Sequence, residues 1–299
     1  MFGENGAEGP AERLRPGDPW WPTAAFDGLR EPVSGLYLLG RGMVLQRAPR
    51  RSVAIVGTRD ASPYGMRVAD ELARAFARAG IAVVSGLARG IDSAAHRGAL
   101  AANGGTIAVL GTGVDVPYPV GHRALHREIA ASGLVLSERA PGSRAAPGCF
   151  PRRNRIIAAL AEVTIVVEAP FKSGAVNTAT QALELGRVVA AVPGPIDSAR
   201  SAGSNLLLRD GAQVITDVSD ALGLFGVVAD GPVAAPELGY DEGRVWESLE
   251  GGSSSIESLA DRLGMSIRQV LSVCSRLEIR GLIECGSDGS LRRALALST

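Results

Sequence analysis

Short apolar runs separated by stretches of mixed polarity set the pattern of most of this chain. Residues 53–56, 82–84, 107–110, 134–136, 164–167 and 188–192 are dominated by Val, Ile, Ala and Leu. Their length and β-branched content predict strands buried on both faces. Between them, stretches such as 64–79 and 92–102 repeat Ala, Leu and Arg at helical spacing. A late strand at 214–216 and a closing helix at 217–225 complete the series. Strands that alternate with helices predict an α/β domain, a Rossmann-like doubly wound mostly parallel sheet with helices on both faces.

The pattern changes after residue 225. Residues 226–239 are rich in Gly, Pro, Ala and Val without periodicity, the composition of a linker. Residues 240–299 then predict a helix over 242–249 and a second over 259–263, introduced by Ser254 and Glu257 at capping-box spacing. A third helix, opened by Ser266 and Gln269, runs to Arg280 and is stopped by Gly281. Residues 282–285 and 291–297 flank Gly286-Ser287-Asp288-Gly289, a hairpin turn. Three helices and a hairpin make a small C-terminal winged-helix domain. At the other end, residues 1–19 are rich in Gly, Glu and Pro and are expected to be a flexible tail. Residues 20–51 lead into the sheet, and the Rossmann-like domain occupies 20–225.

Composition narrows the function by exclusion. The 31 basic and 31 acidic side chains of the 299 residues cancel, so a nucleic-acid site has to be a local concentration of charge. Lys172 is the only lysine. Cys149, Cys274 and Cys285 are widely separated and form no C-x-x-C pair, which indicates neither a disulfide framework nor a zinc site. No run approaches the ~20 apolar residues that span a bilayer, and the N-terminus has no secretory apolar core. A soluble cytoplasmic protein is expected.

In an open α/β sheet, ligands sit beyond the carboxyl ends of the strands, where helix N-termini aim unpaired N–H groups into one crevice. Polar and glycine residues follow the expected strands here: Gly57-Thr58-Arg59, Ser85-Gly86 with Arg89-Gly90, Gly111-Thr112-Gly113, and Ser173-Gly174 beside Lys172. Glycines also end strands for turn geometry alone, but five such groups together favour an anion site. In Phe150-Pro151-Arg152-Arg153-Asn154-Arg155, an aromatic ring precedes three arginines and an amide. Arginines neutralise successive phosphates while a ring stacks a base, the combination used for single strands. The alternative is a loop anchor followed by a solvated helix start. Arginines opposing a helix dipole are unfavourable without an anion, which speaks for an anionic ligand. No Walker or dinucleotide signature is present, so no cofactor is expected. His96, His122 and His126 lack a catalytic or zinc context and are expected in packing or on helix surfaces. Asp92 is expected to cap the helix that follows it. Asp115 and Glu138 follow strands without evident pairing, and no catalytic residue is assigned.

This string of motifs resembles the DNA-processing protein A (DprA/Smf) family. The resemblance is carried by Val56-Gly57-Thr58-Arg59 with Tyr64-Gly65, by Ser85-Gly86-Leu87-Ala88-Arg89-Gly90-Ile91-Asp92 with Ala95-His96, and by Val109-Leu110-Gly111-Thr112-Gly113 with Tyr118-Pro119 and Ser137-Glu138. It continues through the Phe150 to Ile157 run, Val167-Glu168-Ala169 with Ser173-Gly174, and Pro193-Gly194 with Gly203-Ser204-Asn205. It implies a non-enzymatic recombination mediator: a homodimer, formed through the Rossmann-like domain, that binds incoming single-stranded DNA, shields it and helps load RecA recombinase in natural transformation. Arg59 falls on the family's DNA-backbone arginine. Phe150, Arg152, Arg153 and Asn154 fall on its DNA-contacting loop, and Ser173-Gly174 on its phosphate-facing helix start. Ala175 departs from the family's small hydroxyl residue, and the N-terminal helical domain of many members is reduced to a short tail. A dimer contact is expected near residues 206–208 and 222–225. The winged helix carries seven arginines against ten acidic residues from 237 to 299, which favours protein docking over duplex binding. A rival class, the nucleotide phosphoribohydrolases, shares the fold, but alignment of its G-G-x-G-T-x-x-E signature on Asn177-Thr178 places Gln181 at the catalytic glutamate.

Overall fold

A computed structural model describes residues 11–48, 50–227, 238–249, 254–280, 282–286 and 289–293. The chain divides into two compact units, 1–228 and 229–299.

The larger unit is built on one nine-stranded sheet. Its strands are β1 (Glu12–Leu14), β2 (Leu36–Gly40), β3 (Ser52–Val56), β4 (Ala82–Ser85), β5 (Thr106–Leu110), β6 (Leu134–Ser137), β7 (Val163–Val166), β8 (Val188–Ala191) and β9 (Gln213–Val214). Its helices are α1 (Thr23–Phe26), α2 (Pro63–Arg78), α3 (Ile91–Ala101), α4 (Arg123–Ser132), α5 (Cys149–Ala159), α6 (Gly174–Glu184), α7 (Ala202–Arg209) and α8 (Val218–Gly223). The strand order is β1-β2-β6-β5-β4-β3-β7-β8-β9. From β6 to β9 every pair is parallel, as the continuous apolar runs require. Only β2 runs against the others, antiparallel to both β1 and β6. Residues 12–14, expected in a flexible tail, instead extend the sheet: Leu14 pairs with Leu36 and is buried. One apolar residue in a three-residue strand is too little periodicity to signal a strand in the sequence.

Both faces of the central strands are buried because successive side chains point to opposite sides. Ala54 and Val56 pack into one core with Ile156 and Ala179. Val53 and Ile55 pack into the other with Leu72, Phe76 and Ala95. Helix α2 shows how sequence fixes an element. Ser62 accepts a hydrogen bond from Gly65 N at 3.0 Å, Pro63 opens the first turn, and Ala69, Leu72, Ala73 and Phe76 form the buried stripe. Full burial of a ring such as that of Phe76 contributes roughly 1.5–3 kcal/mol. The apolar residues expected at a dimer contact largely serve this core. Leu207 is buried, and the Phe225 ring meets Phe76 edge-on at 5.5 Å.

The smaller unit holds α9 (Tyr240–Ser248), α10 (Ile256–Leu263), α11 (Ile267–Ile279) and the hairpin β10 (Ile283–Cys285) with β11 (Leu291–Arg293). Val245, Leu259, Val270, Leu277 and Ile283 form its core. The capping box of Ser266 and Gln269 is formed. The cap of α10 is Ser255, not Ser254; its hydroxyl accepts from Ser258 N at 3.2 Å. Ser254 instead bridges to Leu291. Gly281, Ser287 and Asp288 lie outside the described residues, as do 228–237 of the expected linker. The three cysteines are free thiols. Among the described residues no helix is long and apolar enough to cross a membrane.

Candidate nucleic-acid interface

The sheet reverses direction once. The chain steps outward from β3 through β4 and β5 to β6 and then returns to β7, on the other side of β3. The loops after β3 and β7 therefore flank the switch-point crevice of a doubly wound sheet. Arg59 lies in one of them and Lys172 in the other.

The loop that carries Arg59 is clamped along its length. Thr58 N donates to Glu168 O at 2.6 Å, and Thr58 O accepts from Ile91 N at 3.3 Å. Ser62 donates to the Glu168 carboxylate from its backbone N (2.9 Å) and its hydroxyl (2.5 Å). Arg200 donates to Asp60 O and Asp60 Oδ2, each at 2.8 Å. Arg59 is left exposed, its guanidinium 5.5 Å from the centroid of the Phe150 ring. Tyr118, which the sequence brings in only through the resemblance, also packs on that ring, with centroids 5.1 Å apart. Phe150 sits tight against the chain after β5: a Cβ on Gly111 would lie 2.9 Å from its Cδ1. Only glycine allows the ring to settle there.

Helix α5 crosses the ends of the strands, and its consecutive polar residues divide between two tasks. Arg153 is 7% exposed, and its Nη1 donates to Gly86 O at 2.7 Å and to Val109 O. Asp92 is its buried counter-charge. Asp92 Oδ2 accepts from Gly86 N (3.1 Å) and Ala88 N (3.4 Å). Burial pushes the Asp92 carboxyl up, against the pull of Arg153 and those amides. Burial likewise lowers the Arg153 guanidinium, against Asp92. Asp92 is thus not the cap of α3; that position is Gly90 at φ 75°. Arg155, 5% exposed, donates from Nη2 to both Glu138 oxygens at 2.8 and 2.7 Å. Asn154 donates from Nδ2 to Gly174 O (3.1 Å) and Asn177 Oδ1 (3.2 Å) and so ties α5 to α6.

Three expectations change accordingly. Arg153, Asn154 and Arg155 face inward and hold strand ends and helix starts together; a buried guanidinium committed to carbonyls or a carboxylate does not reach a phosphate. The anion that arginines at a helix start demand is supplied largely from within the fold, by Asp92 and Glu138. Ser85 and Gly113 are likewise internal: Ser85 Oγ donates to Ile55 O at 2.7 Å, and Gly113 N donates to Ser143 O at 2.8 Å.

What remains at the surface is a smaller set. Arg59, Arg89, Arg152 and Lys172 are exposed, and Phe150 is half-buried. Arg152 stands 3.6 Å from both Glu31 and Glu138, beside a cleft of about 200 Å³ that Arg139 and Cys149 also line. Ser173 caps α6 by accepting from Val176 N at 3.3 Å, and Gly174 is exposed at the helix start. His96 and His126 are packing residues. His96 Nδ1 lies 2.8 Å from Thr106 Oγ1, and His126 Nε2 lies 2.7 Å from Val114 O. Among the described residues no group of His, Cys, Asp and Glu could hold a metal ion.

In the smaller unit, Arg276 on α11 and Arg280, which follows the end of that helix, both bind Glu242 of α9, at 3.0 and 2.9 Å. Two arginines of this helix end are therefore paired within the unit.

Comparison with known proteins identifies this architecture. Residues 12–226 match the family model of DNA recombination-mediator protein A, and 229–289 match that of the DprA winged helix domain. A putative DNA processing protein DprA of Mycobacterium tuberculosis is 45% identical over 297 residues, covering 93% of this chain and 76% of that protein. The X-ray structure of DprA from Streptococcus pneumoniae superposes with a TM-score of 0.67 at 37% identity, over 71% of this chain and 74% of that one. DNA processing protein A from Helicobacter pylori, a structure concerned with its single-stranded DNA binding mode, superposes at 0.65 with 32% identity, over 73% and 96% of the two chains. With both units matched in order, the chain belongs to the DNA recombination-mediator protein A family, DprA/Smf.

Proposed function

We propose that this chain binds single-stranded DNA in the switch-point crevice, shields incoming strands and loads RecA recombinase onto them during natural transformation, acting as a homodimer through its larger unit. The observation that carries this reading is the placement of Arg59: an exposed guanidinium on a loop clamped by Glu168 and Arg200, against a half-buried aromatic ring. Rigid presentation of a cation beside a ring suits a phosphate next to a base whose neighbours are unpaired. A duplex hides its base faces and gains only the charge contact. Arg89, Arg152 and Lys172 with Ser173 and Gly174 extend the phosphate track, while Gly57, Thr58, Ser85, Gly86, Gly111 and Gly113 shape its floor. The protein acts by binding and not by turnover. The smaller unit serves protein docking, since Glu242 already occupies Arg276 and Arg280.

A titration of the full chain with an unstructured oligonucleotide tests this. Binding is expected to exceed that of a duplex of equal length. The log–log salt slope should reflect roughly −0.7 per phosphate neutralised, and Arg59→Ala should weaken binding and flatten that slope. Unchanged affinity and slope in Arg59→Ala would place the site elsewhere. RecA-dependent ATP hydrolysis on coated single strands tests loading, and ribose release from nucleoside monophosphates, lost in Gln181→Ala, would restore the enzymatic alternative.

A further inference from the structure

The loop between β7 and α6 displays a large ring that the fold does not use. Phe171 is 59% exposed, and Lys172 Nζ lies 5.6 Å from its centroid. Isolated apolar side chains are common on protein surfaces and need no explanation. The place of this one is what matters. β7 pairs in parallel with β3, Val56 opposite Val166, so the loops bearing Arg59 and Phe171 leave the sheet side by side. The Phe171 loop is anchored on both sides. Ala169 O accepts from Gly203 N at 2.7 Å, and Gly174 O accepts from Asn154 Nδ2 at 3.1 Å. Between those anchors an exposed aromatic ring and a cation stand on the loop next to the one that carries Arg59.

We infer that Phe171 is a second base-stacking surface, holding a different nucleotide from the one at Phe150; this rests on the single-stranded DNA reading above. Phe150 lies against Gly111, after β5, whereas Phe171 follows β7. In the strand order β5-β4-β3-β7 these ends are three strand spacings apart, about 14 Å at ~4.8 Å each. One base does not bridge that distance. Arg59 follows β3, which lies between those two strands in the sheet order, and its guanidinium lies over the Phe150 ring. Every base has a π-face, so the second ring adds affinity without sequence preference.

The test is an anisotropy titration of the full chain with oligothymidylates of graded length, repeated at several salt concentrations. Phe171→Ala is expected to bind the longer oligonucleotides roughly tenfold more weakly, the scale of one lost base stack, with the salt slope unchanged. Phe171→Trp should restore affinity. Lys172→Ala should instead make the slope shallower by about 0.7. In an oligonucleotide scanned with 2-aminopurine, wild type should quench fluorescence at two separated positions and Phe171→Ala at one. If wild type binds and Phe171→Ala matches it at every length, the stacking role is overturned while the single-stranded DNA reading stands. If wild type itself does not bind, both fall. If Phe171→Ala leaves the titration untouched but weakens RecA recruitment, the ring contacts protein and the inference is wrong.

Discussion

Arg59 and Arg153 stand within one site under opposite demands: one keeps its charge in water at the crevice, the other carries a charge into the protein. Arg153 is tolerated there because Asp92, Gly86 O and Val109 O surround it. Removal of one member of such a pair leaves the other uncompensated, which typically costs about 3–5 kcal/mol. Arg153→Met is therefore expected to lower the unfolding free energy obtained from urea titration by that order. The double variant with Asp92→Asn should be less destabilised than the sum of the two single variants; strict additivity would show that the pair is not coupled. His96 adds a pH term. Thr106 Oγ1 donates to Val83 O, so His96 Nδ1 carries the proton it shares with Thr106, and Nε2 is buried without a partner among the described residues. Burial lowers its pKa to about 3 from 6.5. The folded state thus binds fewer protons than the unfolded chain between those values. Its stability is complete above pH 6.5 and declines as pH falls toward 3. Urea midpoints measured from pH 7 to 5 should fall in wild type and stay flatter in His96→Leu; parallel curves would remove His96 as the cause.

At the scale of elements, the parallel strands were legible because strands buried on both faces demand uninterrupted apolar runs. Helix starts were less so. Ser254 and Ser255 offer adjacent hydroxyls, and only the bridge from Ser254 to Leu291 decides which one caps α10. Asp92 has the chemistry of a cap, yet the tight turn at Gly90 starts α3 earlier and frees its carboxylate for Gly86 N and Ala88 N. Helix α5 carries the largest revision. The arginines of its first turns do oppose the dipole, and Glu138 supplies much of the missing negative charge. Glu138→Gln should accordingly destabilise the protein by about 2 kcal/mol, through a hydrogen-bonded buried charge left without its partner. Oligonucleotide affinity should fall less than in Arg59→Ala. A larger binding loss with unchanged stability would make Glu138 part of the interface.

Across the whole molecule the charges cancel, and each unit pairs some of its arginines with its own carboxylates. Because Glu242 holds Arg276 and Arg280, Arg276→Ala is expected to leave duplex affinity of the full chain unchanged and to lower only the melting temperature of the smaller unit. A clear loss of duplex binding would return that helix to DNA recognition.

The sequence by itself determined the two architectures, the position of the crevice and the residue types gathered there, because hydrophobic period and turn chemistry are local properties of the chain. Only the tertiary structure decided which arginines of one short run are exposed and which are buried. That choice depends on carbonyls and carboxylates brought together from β4, β5 and β6, far away in sequence. It also set the Phe171 loop next to the Arg59 loop, since the return of the chain to β7 alongside β3 is a long-range pairing that no local pattern encodes.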